Sequence, residues 1–196
     1  PKLSDDEGYI ELLKVVENLK NDAALQNGEA ELCYSCPARD AKKASLLLSV
    51  EDARILDGRI ERVAELAELG VKSVIPMWSG ETCIGGSHNT NVGLTDFGKR
   101  AAKEMLARGM ILDISHASVE TSNDIFELSA ASGKPVIASH SNAHTVCPVS
   151  RNLHDWQIDA IVASGGIVGI NLYRAFLEED GNANIDSILR HIEHFL

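Results

Sequence analysis

The sequence predicts an α/β protein built on a parallel sheet, and three observations predict it. Short β-branched or aliphatic runs alternate with amphipathic stretches of helical length five times, at roughly 25 to 30 residues per repeat. Nothing between successive runs reads as a tight hairpin turn, so the connections are crossovers of right-handed βαβ units. Two of the runs, Met110-Ile111-Leu112-Asp113-Ile114-Ser115-His116 and Pro135-Val136-Ile137-Ala138-Ser139-His140, are bounded by Gly109 or Pro135 and end in Ser-His. A buried strand whose last residue is a polar His faces a ligand site, because in α/β folds ligands bind at the carboxyl ends of the strands.

In chain order, Asp5 to Gln26 is expected to be a helix, since Ile10, Leu12, Leu13, Val16 and Leu19 recur at near-helical spacing. Ser4 is its N-cap with Glu7 completing a capping box, and Asn27-Gly28 ends it. Glu31 to Tyr34 is a weak strand candidate, and Pro37 to Lys43 a short helix or turn. The run Ser45 to Val50 is the first convincing buried strand and terminates in Glu51-Asp52. A helix over Arg59 to Leu69 stops at Gly70, and a strand from Val71 to Met77 ends at Trp78. The glycine-containing stretch from Ser79 to Asn91 is a long loop, which in a compact domain is more often functional than idle. Thr95 caps a helix running to Arg108, and a further helix over Val119 to Ser132 separates the two Ser-His strands. After a polar segment from Ser141 to Asn152 come a helix at Asp155 to Ala163, a strand from Gly166 to Leu172 ending at Tyr173, and a last helix from Ile185 to Leu196.

Length and composition set the outer bounds. At 196 residues, 44% apolar and 24% charged, residues 1–196 are expected to form a single soluble domain with a sizeable core. The formal net charge of −11 argues against a nucleic-acid partner and against an anionic membrane surface, both of which need basic patches. No apolar run approaches the roughly 18 residues of a membrane span, and the first residues do not read as a signal peptide. Four cysteines, two of them as Cys33-Tyr34-Ser35-Cys36, raise zinc and redox readings. A structural zinc site wants a second close pair, and Cys83 and Cys147 stand alone, so reduced structural cysteines and a cytoplasmic setting fit most simply.

The chemistry lies at the strand ends, which present Glu51, Trp78, His116, His140 and Tyr173, with Arg151 in the loop after the fourth strand. A carboxylate and two imidazoles are ligand types that suit zinc or another borderline divalent ion, and a parallel sheet supplies proximity that sequence spacing does not. Each residue alone has a plainer reading as a hydrogen-bonded loop group or helix cap. His191 and His194, three apart on a helix, are read as a solvated face, His88 as a loop residue, and His144 and His154 as neighbours of Arg151, one of which could line the pocket. Asp113 alternates away from His116 and is expected to bond nearby backbone or a ring nitrogen.

The run Gly93-Leu94-Thr95-Asp96-Phe97-Gly98, then Glu104-Met105 through Gly109-Met110, Leu112 to Ser118, Pro135 to Ala143 and Arg151-Asn152 resembles the central signature of the membrane (renal) dipeptidase family. The resemblance extends from about Leu46 to His194. It implies parallel (β/α) units of a TIM-like (β/α)8 barrel, incomplete here with five or six strands, and a hydrolase of dipeptides holding two zinc ions in the complete enzyme. Carried over by position, Glu51 matches the carboxylate that bridges the metals, and His116 and His140 match the histidines that hold one of them. Arg151 matches the arginine that grips the substrate's C-terminal carboxylate, and Tyr173 a tyrosine near the substrate. Trp78 falls where mammalian members carry a histidine that polarises the scissile carbonyl and bacterial relatives often carry Trp. The family's His-x-Asp of the first strand and aspartate of the eighth have no counterpart, which implies a central piece of a longer enzyme with a partial metal site and little activity alone. A related barrel amidohydrolase acting on N-acyl amino acids or lactones, and a non-catalytic scaffold keeping half the metal site, are the other two readings. Open sheet edges lead us to expect self-association as a homo-oligomer, edge covering by terminal segments, or a poorly stable monomer.

Overall fold

The computed structural model describes residues 3–34 and 42–196. The expected turn over Pro37 to Lys43 and the cysteine Cys36 fall largely outside these residues. Among the described residues the elements are α1 (Asp5–Lys20), α2 (Ala23–Gln26), β1 (Ala30–Leu32), β2 (Ala44–Leu46), β3 (Leu48–Glu51), α3 (Glu61–Leu69), β4 (Val71–Ile75), α4 (Asp96–Ala107), β5 (Ile111–Asp113), α5 (Val119–Ser132), β6 (Val136–Ile137), α6 (Asp155–Ala163), α7 (Arg174–Leu177) and α8 (Ile185–Phe195). A single 3-10 turn over Ala53–Leu56 follows β3.

The sheet that carries the site has the order β3-β4-β5-β6, with every neighbouring pair parallel. Its register sets Val50 opposite Val74, Val74 opposite Leu112, and Leu112 opposite Val136. All four side chains are buried, so one aliphatic row runs across the middle of the sheet. Burial of such a row fixes the register, because a slip of one residue would turn the whole set toward the other face. The consequence is functional: with the rows aligned, the carboxyl ends of the strands come out together. Leu66, Met105, Leu106 and Ile125 from α3, α4 and α5 close the core.

Three expectations are corrected by this architecture. The run Ser45 to Val50 is two strands, because the chain breaks at Leu47: β2 pairs with β1 in a separate two-stranded sheet, and only β3 joins the main one. The first helix starts on the expected reciprocal cap of Ser4 and Glu7 but stops at Lys20. The side chains of Asn18, Asn21 and Asp22 are of the kind that compete for backbone hydrogen bonds and end helices. The stretch Gly166 to Leu172 lies alongside β6 without forming a regular strand. It makes one parallel bridge, Ala138 to Val168, with Gly169 N–H donating to the Ala138 carbonyl (2.8 Å) and Ser141 N–H to the Gly169 carbonyl (2.8 Å). A Cβ at Gly169 would overlap the Ser139 carbonyl oxygen, so only glycine permits this approach. Helices α4, α5, α6 and α8 match the expected spans within a residue or two. No helix among the described residues is long and apolar enough to cross a membrane.

Candidate metal centre and adjoining cleft

Three side chains from β3, β5 and β6 meet at the carboxyl rim, with β4 lying between the first two strands. The Glu51 carboxylate ends β3, and the turns that follow β5 and β6 carry His116 and His140. His116 Nε2 lies 3.0 Å from Glu51 Oε1, His140 Nε2 lies 3.6 Å from the same oxygen, and the two Nε2 atoms are 3.0 Å apart. Ligand atoms of the three residues all fall within 4.8 Å of one another. Zinc bonds of 2.0 to 2.1 Å at tetrahedral angles separate neighbouring ligand atoms by about 3.3 Å. The observed separations of 3.0, 3.0 and 3.6 Å bracket that value, so the residues fit a divalent cation. Two imidazole nitrogens pointing at one another present lone pair to lone pair unless a proton or a cation stands between them.

The protonation states agree with ligand duty. Burial pushes the His116 imidazole down to about 3, with the positive Arg151 and the neighbouring His140 and His88 adding to the effect. The His140 ring is lowered by burial first and by Arg151 second. Neutral imidazole is the form that binds metal. Nδ1 of His116 is buried without a hydrogen-bond partner, and the Trp78 backbone is the one group that favours its charged form. Nδ1 of His140 meets Ser139 Oγ at 2.9 Å.

Asp113 explains why the two turns hold together. Its carboxylate is fully buried at the end of β5, and Oδ1 accepts from Ser115 N–H (2.9 Å) and from Ser139 N–H (3.1 Å). Ser115 Oγ accepts from His140 N–H (3.1 Å), which ties the second turn to the first. The backbone partner expected for Asp113 is therefore found, and it serves both histidines at once. His116 itself sits at φ 75°, in the left-handed region that a non-glycine residue occupies at a cost of the order of 1 kcal/mol. Its carbonyl accepts from His88 N–H at 2.7 Å, which anchors that conformation.

Beside the triad a cleft of about 350 Å³ is lined by Trp78, Ser79, His88, His116, Arg151, Tyr173 and Phe176. Trp78 and Tyr173 are 53% and 61% exposed and stand at the mouth, Tyr173 with its ring against Phe176. The Trp78 ring centroid is 6.4 Å from that of His116. Arg151 is 4% exposed, donates from Nη1 to Ser141 Oγ (2.9 Å) and from Nη2 to the His140 carbonyl (3.0 Å), and has its Nε buried without a partner. Burial lowers its guanidinium to about 10. All six residues singled out in the sequence thus reach one rim. The loop histidine His88 also lines the cleft, half-buried, with its Nδ1 3.2 Å from Ser150 Oγ. Nothing in the spacing of the 79–91 loop marks His88 for that place.

Of the remaining histidines, His191 departs from its expected role, whereas His194 is exposed and His154 lines a pocket as expected. His191 is not on a solvated face: it is fully buried, Nδ1 accepts from Ala143 N–H (3.1 Å) and Nε2 faces the Leu177 carbonyl (3.3 Å). His194 pairs with Asp155 (2.8 Å), so α8 holds the start of α6 as well as Ala143. His144 and His154 stack with ring centroids 4.3 Å apart, and His154 lines a chamber next to the cleft. Cys33, Cys83 and Cys147 are free thiols.

Residues 13–196 match the sequence model of the family described as membrane dipeptidase (peptidase family M19). The chain belongs to this family. It is 32% identical to dipeptidase 3 of Mus musculus, over 85% of this chain and 35% of that protein. It is 33% identical to an uncharacterized protein in the pqqA 5′ region of Klebsiella pneumoniae, over 91% of this chain and 70% of that one. Among solved structures it superposes on a metallo peptidase from Rhodobacter sphaeroides, liganded with a phosphinate mimic of the dipeptide L-Ala-D-Ala, with a TM-score of 0.88 and 28% identity. That match covers all of this chain and 59% of the other, so the chain spans only part of the length of these relatives. Membership places it among metallopeptidase hydrolases, and the triad supplies its candidate metal-binding residues.

Proposed function

We propose that the chain is the metal-binding and substrate-binding part of a zinc-dependent dipeptidase. The observation that carries this reading is the convergence of Glu51, His116 and His140 within coordinating distance of one point. In this reading Glu51, His116 and His140 hold the zinc, and Arg151, Tyr173 and Trp78 bind the dipeptide. Zinc, when bound, supplies Lewis acidity: it polarises the scissile carbonyl and brings the pKa of water toward neutrality. The protein residues do the rest. Arg151 receives the C-terminal carboxylate with the N–H groups that Ser141 and the His140 carbonyl leave free, which sets how far the substrate enters. Tyr173 and Trp78 cover the substrate at the mouth and exclude water. Glu51, half-exposed and facing both imidazoles, is the carboxylate nearest the reacting atoms and can accept the proton of the attacking water. That proton then passes to the departing amine, so hydrolysis yields two amino acids and consumes one water.

Among the described residues one group of three can hold a metal. We infer that this chain alone binds one zinc through that group, a second only weakly through Glu51, and hydrolyses dipeptides slowly or not at all. Titration calorimetry tests both statements. One zinc per chain, and zinc-dependent binding of a dipeptide in preference to the matching N-acyl amino acid, are the expected results. Two tight zinc sites, or zinc-dependent preference for the N-acyl compound, would overturn the corresponding part of the reading.

A further inference from the structure

His191 is a fully buried imidazole with no part in the metal centre, yet both of its ring nitrogens are engaged. Nδ1 faces the Ala143 N–H (3.1 Å) and Nε2 faces the Leu177 carbonyl (3.3 Å). A backbone N–H can only donate, so Nδ1 accepts, and the proton of the neutral ring stays on Nε2, where it donates to Leu177. Burial lowers the pKa of this imidazole, against the pull of the Leu177 carbonyl, and Arg190 and His194 lower it further. The ring therefore joins two parts of the site from behind. One is the segment between His140 and Arg151, and the other is α7, which carries Phe176 and follows Tyr173.

Tyr173 and Phe176 form one side of the cleft, and the single helical turn that carries Phe176 does not hold itself. Asn142 secures both ends of the segment: Nδ2 donates to the carbonyls of Asn171 (2.9 Å) and Phe176 (3.0 Å), and Oδ1 accepts from Asn171 N–H (3.1 Å). Asn152 donates to the same Phe176 carbonyl (2.9 Å). Two points of attachment leave an axis about which the segment can rock. Successive carbonyls lie about 100° apart around a helical turn, so the Leu177 carbonyl, held by His191, is a third point in a different direction. What the third point sets is the spacing of the aromatic wall from the guanidinium: Arg151 Cζ is 5.8 Å from the Phe176 ring centroid, and the rings of Phe176 and Tyr173 are 4.8 Å apart. We propose that His191 is a positioning residue, whose bond to the Leu177 carbonyl holds Phe176 and Tyr173 against Arg151 and so keeps the cleft shaped for a dipeptide. The ligand in this proposal rests on the dipeptidase reading above, and the brace rests on the hydrogen bonds alone.

The two bonds of the ring can be kept one at a time. His191→Gln carries an amide N–H to the place of Nε2 and keeps the Leu177 bond, whereas His191→Asn carries an amide oxygen to the place of Nδ1 and keeps the Ala143 bond. Cys147 reports on the brace, because it is buried with its Sγ 4.0 Å from the Ala175 carbonyl of α7. Alkylation read by mass spectrometry, and titration of the zinc-loaded chain with a phosphinate dipeptide mimic, are compared across the parent chain and both variants. His191→Asn is expected to speed labelling of Cys147, but not of Cys83, by about tenfold and to weaken the phosphinate by about tenfold, as loss of one hydrogen bond does. Its zinc affinity stays at the parent value. His191→Gln is expected to match the parent chain in both readouts within about threefold, even if its thermal midpoint falls as far as that of His191→Asn. Parent-like labelling and affinity in His191→Asn, or equal changes in the two variants that follow the thermal midpoint, would overturn the proposal. Absence of zinc-dependent phosphinate binding by the parent chain would instead overturn the dipeptidase reading, while Cys147 labelling would still decide for or against the brace.

Discussion

Asp113 touches neither the metal position nor the cleft, yet the site depends on it. One oxygen of a fully buried carboxylate takes the N–H groups of Ser115 and Ser139, and so sets the paths of both histidine-bearing turns. Asp113→Ala would leave the buried Ser115 N–H unpaired and remove the partner of the Ser139 N–H, at a cost of about 1 to 3 kcal/mol. It would also lower zinc affinity on the order of 10- to 100-fold, as loss of a supporting partner does at metal sites. Denaturant melts and competition with a chromophoric chelator measure the two effects. A second residue-scale consequence concerns pH. His116 titrates at about 3 in the folded chain against about 6.5 when unfolded, so between those values the unfolded state binds a proton that the folded state does not. Stability is therefore fully present above about pH 6.5 and declines as pH falls toward 3, by at most about 1.4 kcal/mol per unit from this group. His140, His88 and His191 are lowered in the same direction and steepen the decline. For metal-free chain, the thermal midpoint is expected to drop between pH 7 and pH 5, and a flat profile would contradict the account.

At the scale of elements, the loop from Ser79 to Asn91 shows how a segment without regular structure is placed. Gly98, in the first turn of α4, lies against it so closely that a Cβ would overlap the Ile84 carbonyl oxygen. Thr95 fastens the same junction, capping α4 through Gly98 N–H (2.9 Å) while its hydroxyl donates to the Cys83 carbonyl (2.6 Å). Gly98→Ala is expected to displace the loop and destabilise the chain by about 1 to 3 kcal/mol. Tryptophan fluorescence, read at Trp78 on the loop's near side, and a denaturant melt check the two outcomes. This junction also shows what could be read beforehand. The Thr95 cap and the strands ending near His116 and His140 follow from local pattern and one apolar row, and so were legible in the sequence. The convergence of Glu51, His116 and His140 was legible because a parallel sheet leaves strand ends on one rim. His88 and His191 were not, since the first is placed by bonds to the His116 carbonyl and Ser150, and the second by Ala143 and Leu177. Those partners are distant in the chain and carry no periodic signal. The edge stretch Gly166 to Leu172 misled for a related reason: its composition is that of a strand, but only Ala138 bridges to it.

For the molecule as a whole, that edge is the feature with physical consequences. Ile167 and Leu172 are 68% and 66% exposed, and α8 turns Ile185 and Leu189 to solvent. Apolar side chains beside unpaired backbone favour association with another surface. Sedimentation velocity is expected to show concentration-dependent self-association, reduced by Ile167→Lys, and an ideal monomer at all concentrations would contradict it. The central claim concerns the other end of the sheet, where three strands deliver a carboxylate and two imidazoles to one point. Crystals of the chain grown with zinc, measured on both sides of the zinc absorption edge, test that claim most directly. The account predicts an anomalous peak about 2.0 to 2.2 Å from the Nε2 atoms of His116 and His140 and from a Glu51 oxygen. A peak elsewhere, with these three side chains turned away from one another, would contradict it.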